Sequence, residues 1–376
     1  MRILYTGTLN VNAGGPAFST YHTMKGLNAI GVKTELLGFE FGNNGKLIGT
    51  DVPMHFAKRS CVPVIGYSPS YKQSIRECGE FDIYQAQGVW QYNTYALVDV
   101  AREKHKPYII TPRGMLYPQA IKNGKTWFKK LSLKLRLLKD LNQAACVHVT
   151  CEDEMNYCRD LGITSPIAVI PNPVKIESHP EKKDKVFRLG YLGRVSKRKN
   201  IEGLIYAWDA LKNKTTGAEL VIIGGGNEQY FQFLKDECNR LKLDNVRFTG
   251  FISGTEKEDT LSSISVLAMP SEFENFGNVI VEGLVRGIPC IATKGAPWKD
   301  LADYHCGWWV NYSQKEITSA VDKALNLSAE ELHEMGERGK RLVMEKYSIE
   351  AVAKQMKQLY SWMLNGGEIP CFIFIK

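Results

Sequence analysis

Short β-rich runs separated by amphipathic helical spans constrain this chain more than any other feature of its sequence. Residues 3–5, a helix near 17–30, residues 34–38, and later 108–111 and 145–149 follow the strand–helix–strand rhythm that builds a parallel sheet with helices on both faces. The rhythm reaches 167–170, meets Pro171-Asn172-Pro173, and gives way to a polar stretch, 175–185, rich in Lys and Glu. Beyond it a second series begins: strands at 188–192, 219–223, 246–248 and 266–269, helices at 201–211 and 230–241, and a further helix from about Asn278. A chain of 376 residues exceeds one hydrophobic core. The expected organisation is an α/β domain at 1–172, a linker at 173–186, a second α/β domain at 187–347, and a closing helix and tail, 348–376, that returns to the first domain. Open parallel sheets bind ligands beyond the carboxyl ends of their strands, which places the expected site between two such edges.

With 44% apolar and 23% charged residues, fibrous and disordered classes are excluded. Residues 1–175 carry 21 basic and 13 acidic side chains, a net +8, while the remaining 27 and 27 cancel. One half therefore suits an anionic partner. Nucleic acid is the poorer explanation, because no nucleic-acid module or stacking motif accompanies the charge. Nine scattered cysteines with no Cys-x-x-Cys imply neither a disulfide framework nor a zinc site. The opening residues lack a signal-peptide core, and no apolar run approaches the ~20 residues needed to span a bilayer. The expectation is a soluble protein of a reducing, cytoplasmic compartment.

Three stretches could carry chemistry. The strand at 189–192 runs into Gly193-Arg194, with Lys199 just ahead of a helix; a close backbone, two cations and a helix N-terminus together suit a diphosphate, although a solvated basic loop has the same composition. Gly224-Gly225-Gly226 after a strand permits a tight turn or a close ligand, but the dinucleotide fingerprint is not matched. Most informative is Met269-Pro-Ser-Glu-Phe-Glu-Asn-Phe-Gly-Asn-Val-Ile-Val-Glu. Here Glu274 lies in a loop, Gly277 admits a ligand to the backbone, and Glu282 lies inside the following helix, where a carboxylate accepts hydrogen bonds from vicinal hydroxyls. Acidic bias at a surface helix start would also produce this pattern.

Glu274-x7-Glu282 within Pro-Ser-x-x-Glu-x-Phe-Gly, with Gly193-Arg194 and Lys199 upstream, resembles glycosyltransferase family 4. The similarity extends from Gly14-Gly15 through Ile170-Pro-Asn-Pro and Gly287-Ile-Pro to the closing helix. The resemblance implies a GT-B fold, two Rossmann-like domains facing across a cleft, and a retaining transfer of sugar from a nucleoside diphosphate to a hydroxyl of a glycan. It implies that Arg194 and Lys199 hold the diphosphate, that Glu282 binds the donor ribose, and that Glu274 with the backbone around Phe276, Gly277 and Asn278 orients the donor sugar. Gly14 and Gly15 would face the phosphates or the acceptor, and the nucleobase would lie beside Phe251. No metal or other cofactor is expected, since cations and helix N-termini stabilise the leaving group where a metal would otherwise act and no Asp-x-Asp occurs. Front-face attack, with the leaving phosphate taking the acceptor proton, needs no carboxylate nucleophile. A sugar-nucleotide epimerase of the same architecture and a non-catalytic binding module remain as alternatives.

Relatives place a histidine where this chain has Arg113, in Thr111-Pro-Arg-Gly-Met-Leu; arginine stays protonated and cannot be a base. It could pair with a phosphate of donor or acceptor. Gln87 and Trp90 are further acceptor-side candidates, Trp90 with a core role as the competing explanation. Residues 122–139 hold seven basic and no acidic side chains among Trp127, Phe128 and five leucines. That pattern fits either a helix lying on anionic lipid or a helix docked by its leucines with its lysines in water. Lipid-linked acceptors taken at the inner face of a membrane, as the resemblance implies, would make this a peripheral membrane protein. The tail, 369–376, is too short to span and is expected to pack on the protein.

Overall fold

The computed structural model describes residues 1–40, 46–58, 66–122, 126–176 and 186–375. Residues 177–185 of the expected linker, Cys61, residues 123–125 of the basic segment and Lys376 lie outside the described residues. The chain divides into two compact units, Met1–Lys175 with Tyr347–Lys376, and Ile176–Lys346.

In the first unit, strands β1 (Arg2–Thr6), β2 (Lys33–Phe39), β3 (Met54–Ala57), β4 (Ile83–Gln87), β5 (Tyr108–Thr111), β6 (Cys146–Val149) and β7 (Ile167–Val169) form a parallel sheet in the order β7-β6-β5-β4-β1-β2-β3. Every residue of β5 and β6 is buried, as expected of strands covered on both faces. On one face Tyr84 and Ile110 pack with Tyr71, Ile75, Leu97 and Val100; on the other Ile3 and Tyr5 pack with Met24, Leu27, Met356 and Leu359. Each such side chain stabilises by roughly 1.5–3 kcal/mol. Helix Ile349–Asn365 lies against helix Gly15–Ala29, and a Cβ on Gly26 would stand 2.6 Å from Ile349 Cγ2, so glycine lets the two axes approach.

The second unit repeats the plan with β8 (Arg188–Leu192), β9 (Glu219–Ile223), β10 (Val246–Gly250), β11 (Val266–Met269), β12 (Cys290–Thr293) and β13 (Gly307–Val310). All pairs are parallel, in the order β10-β9-β8-β11-β12-β13. Its core gathers Leu189, Tyr191, Leu204, Trp208, Leu220, Leu234 and Val321, and the Trp208 indole N–H donates to Asn245 Oδ1 at 3.0 Å. Strand order reverses between β1 and β4 in one sheet and between β8 and β11 in the other. At such a reversal neighbouring crossovers leave on opposite faces and open a crevice at the carboxyl ends of the strands.

The tail returns to the protein: β14 (Ile373–Phe374) pairs antiparallel with β7, and Arg159 donates to the Phe374 carbonyl at 2.8 Å. Among the described residues no helix is long and apolar enough to cross a membrane.

Candidate functional site

In the second unit the chain leaves β8 through Gly193, whose N–H donates to the Ile223 carbonyl at 3.0 Å, and the Val195 N–H donates to the Gly225 carbonyl at 2.9 Å. A Cβ on Gly224 would stand 1.9 Å from the Gly193 oxygen, and one on Gly226 would stand 2.3 Å from the Val195 oxygen. Gly224 and Gly226 therefore let two strand-end loops lie backbone on backbone, a use additional to the turn or ligand approach that their sequence suggested. Arg194 is exposed, with no ion pair among the described residues, and its carbonyl accepts the Tyr191 hydroxyl at 2.8 Å.

A short turn, Lys197–Lys199, then leads through Asn200, at φ 52, into helix Ile201–Ala210. The loop after β11 runs alongside: the Glu272 N–H donates to the Arg198 carbonyl at 3.0 Å, and the Glu274 N–H donates to Gly295 at 2.7 Å. These contacts deliver the Lys199 ammonium to the Glu274 carboxylate, an ion pair in which both side chains are largely buried. Lys199 and Glu274 are thus brought together by the topological switch point and not by adjacency in sequence.

Helix Asn278–Val285 starts at the same edge. Gly277 precedes it at φ 82, where a Cβ would meet Met269 Cε at 2.6 Å, and no side chain caps the helix. A helix start of this kind presents backbone amides and a positive dipole end. The Phe276 ring turns inward against Trp298, 5.4 Å between centroids, and its carbonyl accepts the Trp298 indole N–H, so the ring is buried and not presented at the surface. Ser271 Oγ, at the end of β11, is buried without a hydrogen-bond partner among the described residues.

Farther along the helix Glu282 is not free: Lys257 donates to it at 2.6 Å, while Arg286 grips Glu258 at 2.7 and 2.9 Å. Sequence reasoning missed Lys257, which no motif marks. Phe251, 83% exposed, stands in the loop just before the helix that carries Lys257, beside Gly225.

The first unit presents a second strand-end cluster. Gly14, at φ 66, leads into helix Gly15–Ala29 after the turn that Asn10 closes, and among the described residues none but its chain neighbours lies within 4 Å of where its Cβ would be. After β4, Trp90 has φ 71; after β5, Arg113 has φ 58. Bulky side chains seldom occupy this left-handed region, and such strain collects at ligand sites. The Trp90 ring packs on the core and its N–H donates to the Met115 carbonyl at 3.3 Å, so it supports the loop bearing Arg113. The Arg113 guanidinium donates to Gln87 Oε1 at 2.8 Å, Asn172 Oδ1 at 2.6 Å and Thr20 Oγ1 at 3.3 Å. Burial pushes its pKa down to about 10, still fully protonated at neutral pH, while Glu154 and Tyr5 act through space in the other direction.

Beneath it lies a buried polar chain. Tyr5 and Tyr360 share a hydrogen bond, Tyr360 donates to Gln85 at 2.7 Å, Gln85 donates to Thr111 at 3.1 Å, and Thr111 meets His148 Nδ1 at 3.3 Å. Burial, with Arg113 nearby, lowers the His148 pKa to about 3, so this histidine is neutral. Glu154 is buried and its pKa is raised by desolvation; its oxygens accept the Gly114 N–H and, at 3.0 and 3.1 Å, the Thr150 N–H and hydroxyl.

Residues 174–342 match the family model for glycosyl transferases group 1, and residues 13–178 match that for glycosyltransferase family 4. An alpha-1,3/1,6-mannosyltransferase of Dictyostelium discoideum is 27% identical over 205 residues, 50% of this chain and 47% of that protein. The chain spans about half the length of the curated relatives it matches. Sucrose-phosphate synthase of Thermosynechococcus elongatus superposes with a TM-score of 0.75 at 17% identity over 98% of this chain and 100% of that one. The Anabaena protein HepE, solved with UDP and glucose, superposes with a TM-score of 0.71 at 15% identity, covering 96% and 99%. These likenesses establish the GT-B fold for two parallel Rossmann-like sheets. Taken together the two family models run from residue 13 to residue 342, and the chain belongs to the group 1 glycosyltransferases of family 4.

Proposed function

We propose that this chain transfers a sugar, with retention and without a metal ion, from a nucleoside diphosphate to a hydroxyl of a glycan. The supporting observation is the convergence, at the switch point between β8 and β11, of exposed Arg194, the Lys199–Glu274 pair and the uncapped start of helix Asn278–Val285. Two cations and a helix N-terminus hold the diphosphate and stabilise the charge that grows on it as the bond from anomeric carbon to phosphate oxygen breaks. The acceptor oxygen forms the new bond on the same face, and its proton passes to the departing phosphate. Glu274 orients the donor sugar, Glu282 accepts the ribose hydroxyls in competition with Lys257, and exposed Phe251 lies against the base. Gly14 and Gly15 carry a backbone turn toward phosphate or acceptor, with Gln87 and Arg113 on the acceptor side.

Lys199→Ala and Glu282→Ala are expected to lower donor use by roughly 10²-fold or more, measured as nucleoside diphosphate released with a panel of nucleotide sugars and acceptors. Full activity in either variant removes the assigned roles. Donor isomerisation without acceptor would mark an epimerase, and binding without turnover would mark a non-catalytic module.

The acceptor is proposed to be presented at the cytoplasmic face of a membrane, as a lipid-linked glycan. The wide turn Leu133–Leu137 that follows helix Thr126–Ser132 docks Leu133 and Leu137 into the core, and the next helix, Leu138–Asn142, docks Leu138 and Leu141. Arg136 pairs with Asp99 and Asp140 on that side. The outer line bears Trp127, Leu131 and Leu135, which are 75%, 40% and 73% exposed, flanked by exposed Lys130 and Lys134. An apolar line between lysines suits an anionic bilayer surface. Lys129 does not belong to it, because its ammonium is spent on the Ala120 carbonyl at 2.7 Å. Co-sedimentation with phosphatidylglycerol vesicles should fall at least fivefold in a Lys130→Glu, Lys134→Glu double variant; unchanged binding by the folded variant ends the proposal.

A further inference from the structure

We propose that Arg113 is a built binding site for an oxyanion, phosphoryl or carboxylate, carried by the acceptor. The inference rests on the transferase reading and on assigning the acceptor to the first unit.

A guanidinium offers five N–H groups. Arg113 directs three of them to neutral oxygens, those of Gln87, Asn172 and Thr20, and it forms no ion pair among the described residues. Arg102 and Arg136 of this unit both close on the Asp140 carboxylate and Arg2 closes on Glu35, whereas Arg159 resembles Arg113 in meeting neutral oxygens, all of them backbone carbonyls. A half-buried cation without a direct ion pair is costly, and clamping it with neutral acceptors fixes its direction without cancelling its charge. The nearest carboxylate, that of Glu154, acts on it only through space and forms no ion pair with it among the described residues. Both Glu154 oxygens accept hydrogen bonds from Gly114 and Thr150, and His148 stays neutral within the polar chain below.

The backbone adds to this. Arg113 at φ 58 and Trp90 at φ 71 are two strained residues at the ends of adjacent strands, β5 and β4. Gln87, the last residue of β4, holds Nε, and Asn172, beyond β7, holds one terminal nitrogen. The fork is thereby set at the crevice where β1 and β4 diverge, with N–H groups to spare for a planar or tetrahedral oxyanion.

The test uses the full chain. Arg113 Nε–H is followed by arginine side-chain NMR, assigned by its disappearance in Arg113→Asn, a substitution that tolerates the left-handed backbone. Inorganic phosphate, and acetate in a parallel titration, should move this resonance saturably. Arg113→Lys should retain part of the phosphate binding and Arg113→Asn should weaken it at least tenfold. UDP, GDP and ADP affinities should stay within threefold in Arg113→Asn, and phosphate should still shift the Arg113 signal with the nucleotide bound. In transfer assays, acceptors bearing phosphate or carboxylate should outperform neutral counterparts, a preference that Arg113→Asn erases. Phosphate stronger than acetate identifies a phosphoryl acceptor, and the reverse identifies a carboxylate. An immobile Arg113 signal, loss of nucleotide affinity in Arg113→Asn, or equal use of charged and neutral acceptors overturns the inference. Should Arg113→Asn fail to fold, Gln87→Met, which leaves the guanidinium but removes its Nε anchor, must weaken phosphate binding severalfold. Failure of the underlying transferase reading shows separately, as nucleotide binding that is indifferent to Lys199→Ala.

Discussion

Two strand-end crevices of the same topology handle charge in opposite ways. Beyond β8 and β11, Lys199 is matched by Glu274 and Glu282 by Lys257, while exposed Arg194 has no ion pair among the described residues. Beyond β4 and β5, Arg113 is hydrogen-bonded to neutral oxygens, and Glu154 acts on it only through space. Paired groups can exchange partners as charge moves during a reaction, whereas a cation with no direct ion pair is suited to grip a fixed anion. Position in the fold, at the carboxyl edge beside a reversal of strand order, is therefore shared, and the difference in chemistry comes from which side chains the loops carry.

The largest expected effect that tests this contrast is on Glu274. Glu274→Gln leaves the loop intact but removes the charge facing Lys199, and transfer should drop by roughly 10²-fold while nucleoside diphosphate binding holds or tightens. Calorimetry beside steady-state kinetics separates the two, and a parallel loss of binding would make Glu274 part of the diphosphate grip.

Next comes the loop packing beneath the paired site. Gly224→Ala places a Cβ against the Gly193 carbonyl at a backbone angle unfavourable to alanine, with an expected cost of roughly 1–3 kcal/mol. Gly14→Ala meets no neighbour and should cost about 1 kcal/mol for its backbone angle alone. Thermal unfolding midpoints compare the pair directly, and equal midpoints would deny that the glycine cluster is a packing device.

The unpaired crevice should also reveal itself in pH dependence. The pKa of His148 is lowered on folding from 6.5 to about 3. The unfolded chain therefore takes up a proton first as pH falls, and stability present above pH 6.5 is lost progressively toward pH 3. In His148→Gln, chemical denaturation across that window should show a shallower decline; an identical slope would mean that the histidine is not held neutral.

The smallest effect belongs to Lys257→Ala. It breaks a partly exposed pair worth at most about 1 kcal/mol and should change donor affinity less than fivefold. A loss as large as that of Glu282→Ala would make Lys257 a donor-binding group in its own right.

Much of this was legible in the amino-acid order. The strands of both sheets that carry the site loops, the glycine and cations after β8, and the two glutamates around Gly277 stand in local patterns, because strand ends and helix starts are written in a few neighbouring residues. Strands β12 and β13, Cys-Ile-Ala-Thr and Gly-Trp-Trp-Val, were not singled out: four residues in a parallel sheet show no alternation and little length. The basic segment shows the same limit. Its leucines support docking and surface exposure equally well as a composition, and the wide turn Leu133–Leu137 shifts the helix phase so that Leu137 turns in while Leu135 remains out.

Sequence by itself determined the two α/β series, the break between them and the types of residue delivered to the strand ends, since these depend on periodicity and on turn chemistry a few residues long. Tertiary structure alone decided the strand order, the pairing of Lys199 with Glu274 across 75 residues and of Lys257 with Glu282 across 25, and the clamping of Arg113 by Gln87, Asn172 and Thr20. The physical reason is range: backbone propensity acts within a turn or two, while the compensation of a charge depends on whatever side chain the folded sheet brings within about 4 Å.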